Sequence, residues 1–219
     1  VVEQCRVGDA SLMCRYTGSM SQLWINGTLT DKHDAGISPF DHGLLYGDGV
    51  WEHFRLVDGE LVRPELGLNH LALSAAALGL DIPLSPEEWR TAIAETARAN
   101  QRAAGYVRVI VTRGPGTIGP DPRKIVAQIV IIVEEYRPFP RELQGHGLHV
   151  ATAPVRIDTA NPALRVRSLG RPHVMLAKQY ALRHGCLDAV LLTTAGHLAG
   201  TTEGTLFLIR EGQARTHAG

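Results

Sequence analysis

Residues 37–52 read ISPFDHGLLYGDGVWE, and the end of this stretch opens a predicted strand, Val50 to Val57. Asp58-Gly59 follows it, and this dipeptide favours the tight turn of a β-hairpin. Glu60 to Arg63 supply the returning strand. Asn26-Gly27, between two short apolar runs nearer the N-terminus, predicts another hairpin by the same rule. The chain is therefore expected to begin with antiparallel β-structure.

Helical and β-branched stretches follow these hairpins. Apolar residues recur at helical spacing in residues 66–80, and Ser85-Pro86 predicts the start of a second helix that ends near Asn100. β-Branched runs at residues 106–112 and 125–133 predict two neighbouring central strands. These elements predict an α+β fold for the first half of the chain.

The run Pro138-Phe139-Pro140 interrupts all periodicity, so an interdomain linker is expected at residues 138–142. Residues 1–19 are expected to be an extension or cloning tag, with a native extension as the competing interpretation. Residues 20–137 are then a small N-terminal domain, and residues 143–219 are the start of a second domain. The pattern of that domain predicts a helix at 172–184 and strands at 147–154, 189–193 and 205–209. No closing element follows, so we expect the chain to be cut short at Gly219.

Composition excludes several classes of partner. Lysine and arginine total 22, as do aspartate and glutamate, so no overall field favours nucleic acid or an anionic membrane. No apolar run approaches the roughly 18 residues that a membrane span needs. The three cysteines, an odd number without metal-ligand spacing, indicate reduced thiols in a cytoplasmic protein, and no metal site is expected. Partners must therefore be inferred from local sites.

Residues 37–52 closely resemble the opening signature of the class IV aminotransferases, which include branched-chain aminotransferases, D-amino-acid aminotransferases and aminodeoxychorismate lyase. Residues 106–119, 166–178 and 198–209 resemble later blocks of that family. The resemblance implies the α+β fold-type-IV architecture, in which a small N-terminal α/β domain and a larger C-terminal β-rich domain enclose pyridoxal phosphate, usually in a homodimer. The family's last block, a glycine-rich turn for the cofactor phosphate, would lie beyond Gly219.

Three positions that hold the cofactor in this family carry other residues here. His70 aligns with the arginine for the cofactor phosphate, Arg167 with the lysine that captures the aldehyde, and Gly200 with the glutamate at the pyridine nitrogen. A guanidinium stays protonated and has no lone pair to attack an aldehyde, and glycine offers no carboxylate. The family therefore implies pyridoxal phosphate, whereas these replacements predict that none is bound.

Neighbouring residues leave alternatives open. Lys178 matches a lysine that the family often carries further along the same helix, and we expect it to be solvated rather than catalytic. Glu203 is close to Gly200, but an odd separation on an extended segment places it on the opposite side unless a loop intervenes. His70 is equally compatible with a structural role on its own helix.

The remaining arginines predict an anionic ligand. Arg113 resembles the position where some family members capture the substrate carboxylate, and Arg108 precedes it on the same strand. The alternative for Arg113 is an ion pair with a carboxylate of the protein itself. Arg167 and Arg171, which replaces the family's usual tyrosine, add further positive charge. A pocket with these residues should favour a small carboxylate.

Trp51 and His53 lie on one face of a predicted strand, because alternate residues of a strand share a face. Trp51 either lines the substrate pocket or fills the space left by the cofactor. His53 is a candidate general acid or base, although a lone histidine on a strand also serves structural roles. We expect the catalytic residues to be Arg167, His53 and Arg171, and the substrate-binding residues to be Arg113, Trp51 and Arg108.

Three functions are compatible with these residues. The first is an enzyme that acts on a carboxylate in an arginine-rich pocket by acid-base or electrostatic catalysis, without pyridoxal phosphate. The second is a pyridoxal-phosphate-dependent class IV aminotransferase or lyase with an atypical cofactor site. The third is a non-catalytic protein that binds a ligand or an active paralogue. We expect the first.

Overall fold

The computed structural model describes residues 21–136 and 141–216 of the 219-residue chain. The predicted extension at residues 1–19 lies outside the described residues. So does most of the predicted linker at residues 138–142, of which the structure describes only the end, where a short helix begins. In the described parts of the chain, no helix is long and apolar enough to cross a membrane.

The N-terminal part is built on one six-stranded antiparallel sheet with the strand order β2-β1-β6-β5-β3-β4. Its strands are β1 Gln22–Ile25, β2 Thr28–Asp31, β3 Gly49–Val57, β4 Glu60–Leu61, β5 Gly105–Thr112 and β6 Gln128–Glu134. Both predicted hairpins form, with Asn26-Gly27 between β1 and β2 and Asp58-Gly59 between β3 and β4. The two predicted central strands pair as β5 and β6. The returning strand β4 is shorter than predicted.

Two helices cover one face of this sheet. They are α2 Pro64–Ala77 and α3 Pro86–Ala99, after a short α1 at His42–Tyr46 that the sequence analysis did not predict. Ser85 and Glu88 form a capping box that begins α3, which is the reciprocal arrangement that stabilises a helix N-terminus. The covered face of β3 and β5 carries apolar side chains that are almost fully buried, namely Val50, Phe54, Leu56, Val107, Val109 and Val111. Trp51, His53, Tyr106 and Arg108 therefore lie on the opposite face.

Strand β6 begins later than predicted. Residues 125–127 were expected to be part of the strand, but pairing starts at Gln128. The preceding residues pack instead against a turn after β5, where a Cβ atom added to Gly114 would lie 1.9 Å from the carbonyl oxygen of Val126. Gly114 has a φ of +102°, a conformation that favours glycine. Only a residue without a Cβ atom allows this close approach.

The C-terminal part has a three-stranded sheet in the order β7-β8-β9, with β7 and β8 parallel and β9 antiparallel. Its elements are α4 Arg141–His146, β7 Val150–Ile157, a short 3-10 helix at Pro162–Leu164, α5 Pro172–Arg183, β8 Asp188–Thr193 and β9 Leu198–Thr201. A separate hairpin follows, made of β10 Leu208–Arg210 and β11 Gln213–Arg215. Alanines of α5 pack on β7 and β8 to form a second, smaller core.

The region between β8 and β10 differs from the prediction. No strand was predicted between residues 193 and 205, but residues 198–201 form β9 along β8. Thr201 and Gly204 then close a turn, because the amide of each donates to an oxygen of the other. As a result the strand predicted to start at Thr205 starts at Leu208. Gly200 lies within β9, next to this turn.

Candidate functional site

A cavity of about 940 Å³ lies between the open face of the N-terminal sheet and the C-terminal part. Its walls come from β3, β5, the segment before α5 and the turn after β9. The lining residues are Trp51, His53, Tyr106, Arg108, Glu135, Tyr136, Ala163, Leu164, Val166, Arg167, Ser168, Arg171, His173 and residues 201–205. Five of the predicted site residues, Trp51, His53, Arg108, Arg167 and Arg171, thus meet in one place.

The segment before α5 reaches this cavity because it runs along the free edge of β3. The Trp51 amide donates to the Arg167 carbonyl oxygen at 3.0 Å, and the Leu169 amide donates to the Gly49 carbonyl oxygen at 2.9 Å. Strand β4 pairs only with the far end of β3, so this edge would otherwise be open. The edge position brings the Arg167 side chain to residues on both faces of the sheet.

The side chain of Arg167 contacts the carboxylate of Glu52. Glu52 is only 4% exposed and lies on the helix-covered face of β3. One carboxylate oxygen accepts from Arg167 Nη1 and, at 2.9 Å, from the amide of His53. The other oxygen is 2.7 Å from Nδ1 of His70, on α2. Two of the three replaced cofactor positions, His70 and Arg167, are therefore linked through one buried carboxylate.

His53 is in contact with the same guanidinium. Arg167 Nη1 lies 2.8 Å from His53 Nδ1. A guanidinium only donates hydrogen bonds, so Nδ1 must accept and the neutral ring carries its proton on Nε2. Burial lowers the pKa of His53, and the charges of Arg167 and Arg108 lower it further, against an opposing effect of Glu52. Geometry and electrostatics both favour a neutral His53.

Trp51 is surrounded by cations. The guanidinium carbons of Arg108, Arg167 and Arg171 lie 4.4, 5.1 and 5.0 Å from its ring centroid. Its Nε1 donates to the carbonyl oxygen of Ser168 at 3.2 Å, and the residue is 8% exposed. A ring this buried offers little surface to a ligand. Of the two predicted roles for Trp51, the structure favours filling space.

Arg108 and Arg171 carry positive charge that the described residues do not balance. Neither guanidinium lies within ion-pair distance of a carboxylate in the described parts of the chain; Arg108 donates to the Tyr106 hydroxyl at 3.1 Å. Burial lowers the pKa of Arg171, and the neighbouring charges of Arg108 and Arg167 lower it further. Burial and the charge of Arg171 also lower the pKa of His173. The cavity wall thus combines three arginines with the carboxylates of Glu135 and Glu203.

Arg113 does not lie at this cavity, which corrects its predicted role in substrate binding. Its guanidinium donates to both carboxylate oxygens of Asp48, at 2.5 and 3.0 Å, and to the carbonyl oxygens of Leu78 and Gly79, each at 2.8 Å. The residue is 9% exposed. Four of the five N–H donors of this guanidinium are engaged within the protein. The alternative interpretation, an ion pair with a carboxylate of the chain, describes Arg113.

The third replaced position, Gly200, does not line the cavity, although the turn that follows it does. Glu203 is in that turn and accepts from Lys178 Nζ at 2.6 Å. Lys178 also donates to the Leu187 carbonyl oxygen at 2.7 Å, so it is held outside the cavity rather than solvated. The chain has three lysines, Lys32, Lys124 and Lys178, and none of them lines the cavity.

Sequence analysis did not identify Glu52 as a functional residue, although a signal was present. Glu52 alternates with Val50 and Phe54, so it occupies the apolar face of a strand that covers a core. A carboxylate on such a face needs a partner, because burying an unpaired charge is costly. Arg167, the partner in the structure, lies 115 residues away in sequence, so no local pattern identifies it.

Comparison with known proteins identifies the relatives of this chain. Residues 49–217 match the family model described as amino-transferase class IV. A putative branched-chain-amino-acid aminotransferase of Methanocaldococcus jannaschii is 37% identical over 198 residues, which cover 89% of this chain and 67% of the relative. A D-alanine aminotransferase of Staphylococcus haemolyticus is 26% identical, over 90% of this chain and 69% of the relative.

Solved structures that resemble this chain include branched-chain aminotransferases. The branched-chain aminotransferase of Thermoproteus uzoniensis, solved with norvaline, has a TM-score of 0.81 and 26% identity, over 89% of this chain and 67% of that one. A second branched-chain aminotransferase, solved with pyridoxamine 5'-phosphate and described as that of T.th., has a TM-score of 0.83 and 25% identity, over 90% and 67%. The chain thus spans about two thirds of the length of these relatives.

The geometry of Arg113 gives a prediction about stability. Replacing Arg113 with methionine leaves the Asp48 carboxylate without its partner, and we expect a loss of roughly 3 kcal/mol in the free energy of unfolding, at the lower end for a broken buried pair because Asp48 is partly exposed. Urea denaturation measures this loss. Arg123→Gln, which removes an exposed arginine from its pair with Asp121, is the control and should change stability little. Unchanged stability of Arg113→Met with lost ligand binding would restore the substrate-binding role.

Proposed function

This chain belongs to the class IV aminotransferase family, and we propose that it binds a small carboxylate in its arginine-rich cavity without pyridoxal phosphate. We propose that it acts on this ligand by acid-base or electrostatic catalysis. The proposal rests on the contacts of the Arg167 guanidinium. Arg167 aligns with the family's lysine, and its guanidinium is engaged by the buried carboxylate of Glu52 and by His53.

The residues of this site do not fit a covalently held pyridoxal phosphate. Capture of the aldehyde needs a free amine, and a guanidinium does not supply one. His70, at the position of the family's phosphate-binding arginine, points a ring nitrogen at Glu52, and a carboxylate at that place repels a phosphate. Gly200 offers no carboxylate to a pyridine nitrogen. The proposed catalysis therefore does not involve this cofactor.

Arg108 and Arg171 are the residues we assign to the ligand carboxylate. Both line the cavity and have no carboxylate partner among the described residues, so their donors remain available. Hydrogen bonds between charged groups are about twice as strong as neutral ones, and a guanidinium pairs with a carboxylate through two parallel bonds. Burial and the charges of its cationic neighbours lower the pKa of Arg171, and a bound anion would offset the repulsion from those neighbours.

His53 is assigned the role of a hydrogen-bond donor. Its Nδ1 accepts from Arg167, which leaves the protonated Nε2 as the ring atom available to a ligand. A donor of this kind stabilises negative charge that develops on a carbonyl or hydroxyl oxygen of the ligand. While Arg167 keeps its place, the neutral ring of His53 can polarise the ligand through this hydrogen bond but does not transfer a proton. Glu52 balances the charge of Arg167, so we assign Arg167 a role through its contact with His53.

A pyridoxal-phosphate-dependent aminotransferase with an atypical cofactor site is the second candidate. It is favoured by the relatives, which include a 37% identical protein named as a putative branched-chain-amino-acid aminotransferase and a 25% identical structure solved with pyridoxamine 5'-phosphate. In this chain the amine would have to come from Lys178 after it leaves Glu203 and the Leu187 carbonyl. That requirement makes it the weaker candidate.

We also propose that the protein is a cytoplasmic homodimer, as family resemblance and the odd cysteine count predicted. Phe40, Leu44 and Tyr46 in and beside α1, together with Ile118, are large apolar side chains left exposed. The amide of Gly116 donates to the Phe40 carbonyl oxygen, which keeps the two segments adjacent. Contiguous apolar surface of this kind is typical of an interface. Sedimentation of the protein as a monomer at micromolar concentration would contradict the dimer.

The assignment of Arg108 and Arg171 predicts the effect of neutralising them. Arg108→Gln and Arg171→Gln should each weaken the binding of succinate or benzoate about 10- to 100-fold, because each loses hydrogen bonds to a charged group. Isothermal titration calorimetry measures the affinities. Arg165→Gln is the matched control, because Arg165 is close in sequence but donates to the Thr159 carbonyl oxygen and does not line the cavity. Equal affinities in all three variants would refute the assignment.

If the protein cannot capture pyridoxal phosphate covalently, the parent should form no adduct, and a variant with the family's residues should form one. The parent protein, mixed with equimolar pyridoxal phosphate and reduced with borohydride, should show no stoichiometric mass increase at a cavity residue. Arg167→Lys combined with Gly200→Glu should give a yellow, reducible adduct on residue 167, because the double change restores an amine and a carboxylate. Peptide mapping locates the modified residue. A stoichiometric adduct on Lys178 of the parent would support the second candidate instead.

A further inference from the structure

Glu52 belongs to the site, yet it faces away from the ligand cavity. It lines a second cavity of about 560 Å³ on the helix-covered side of the sheet, together with Leu66, Gly67 and His70 of α2. His53 and Arg167 line both cavities. The contact between Glu52 and Arg167 therefore crosses the edge of β3 and joins the two sides. A carboxylate in that place acts on a ligand through its neighbours.

We propose that Glu52 is a positioning residue, which holds Arg167 against Nδ1 of His53 and so fixes His53 as a donor through Nε2. The proposal concerns the same site as the proposed function. It needs no ligand, so it stands or fails separately from carboxylate binding. It also explains why a buried carboxylate persists on an otherwise apolar strand face.

The geometry of Glu52 suits this role because neither of its oxygens is free. His70 engages one oxygen at 2.7 Å and the His53 amide engages the other at 2.9 Å, which fixes the plane of the carboxylate. Arg167 Nη1 binds the second oxygen, and the same nitrogen is 2.8 Å from His53 Nδ1. One nitrogen thus bridges the carboxylate and the imidazole. Without the carboxylate, only the weaker bond to a neutral ring would hold it there.

If Glu52 only neutralised charge and did not hold Arg167 in place, its loss would change the pKa of His53 in the opposite direction. The groups that face this ring are Trp51 and Glu52 on β3, Tyr106 and Arg108 on β5, and Arg167, while His70 reaches it through Glu52. After burial, Arg167 is the largest cause of the lowered pKa of His53, and Glu52 opposes it with a smaller effect. Loss of Glu52 alone would lower this pKa further. Loss of Glu52 together with the departure of Arg167 would raise it.

The sign of the pKa change in Glu52→Gln is therefore the test. Nitrogen-15 NMR titration of the ligand-free protein follows the ring, and the signal is assigned by its disappearance in His53→Gln. We expect the pKa of His53 to rise and its preference for the Nε2-protonated form to be lost. Arg167→Met should shift the pKa in the same direction, because both changes remove the guanidinium from Nδ1.

Several outcomes would overturn the proposal. A pKa that falls in Glu52→Gln means that Arg167 stays in place without its carboxylate. A parent protein with His53 protonated on Nδ1 contradicts the proposal without any variant, which keeps the test valid if Glu52→Gln does not fold. Glu203→Gln is the control for lost charge at the cavity wall, and it should leave the His53 titration unchanged because Glu203 is paired with Lys178.

Discussion

The site depends on one constraint, the edge of strand β3. Strand β4 leaves most of that edge unpaired, and the segment at residues 167–169 fills it with backbone hydrogen bonds to Gly49 and Trp51. An arginine at residue 167 then lies where the two faces of the sheet meet. Its guanidinium binds Glu52 on one side and His53 on the other. Strands β3 and β5 place Trp51, Tyr106 and Arg108 beside this junction.

Charge balance explains why this junction holds. A buried carboxylate without a partner costs several kcal/mol, and Glu52 is satisfied by three donors, one of them a permanent cation. The ion pair with Glu52 neutralises the charge of Arg167. Arg108 and Arg171 keep theirs, and they share a cavity wall with the buried ring of Trp51. These two arginines have no ion-pair partner among the described residues.

Short sequence motifs predicted much of the fold but little of the contact that joins Glu52, Arg167 and His53. The turns at Asn26-Gly27 and Asp58-Gly59 and the cap at Ser85 each depend on a few adjacent residues, so the sequence specified them. Strand β6 begins later than its β-branched run predicted, in a segment whose Val126 carbonyl packs against Gly114. Family resemblance grouped Trp51, Arg108, Arg167 and Arg171, and these four residues line one cavity. It misplaced Arg113, whose partner Asp48 lies 65 residues away, and it gave no indication that Glu52 joins His70 to Arg167.

A crystal structure of the protein grown with an excess of both pyridoxal phosphate and a small carboxylate is the most direct measurement. The account predicts that Arg167 remains paired with Glu52 and that the carboxylate binds between Arg108 and Arg171. Continuous density from any lysine side chain to the pyridine ring would contradict it.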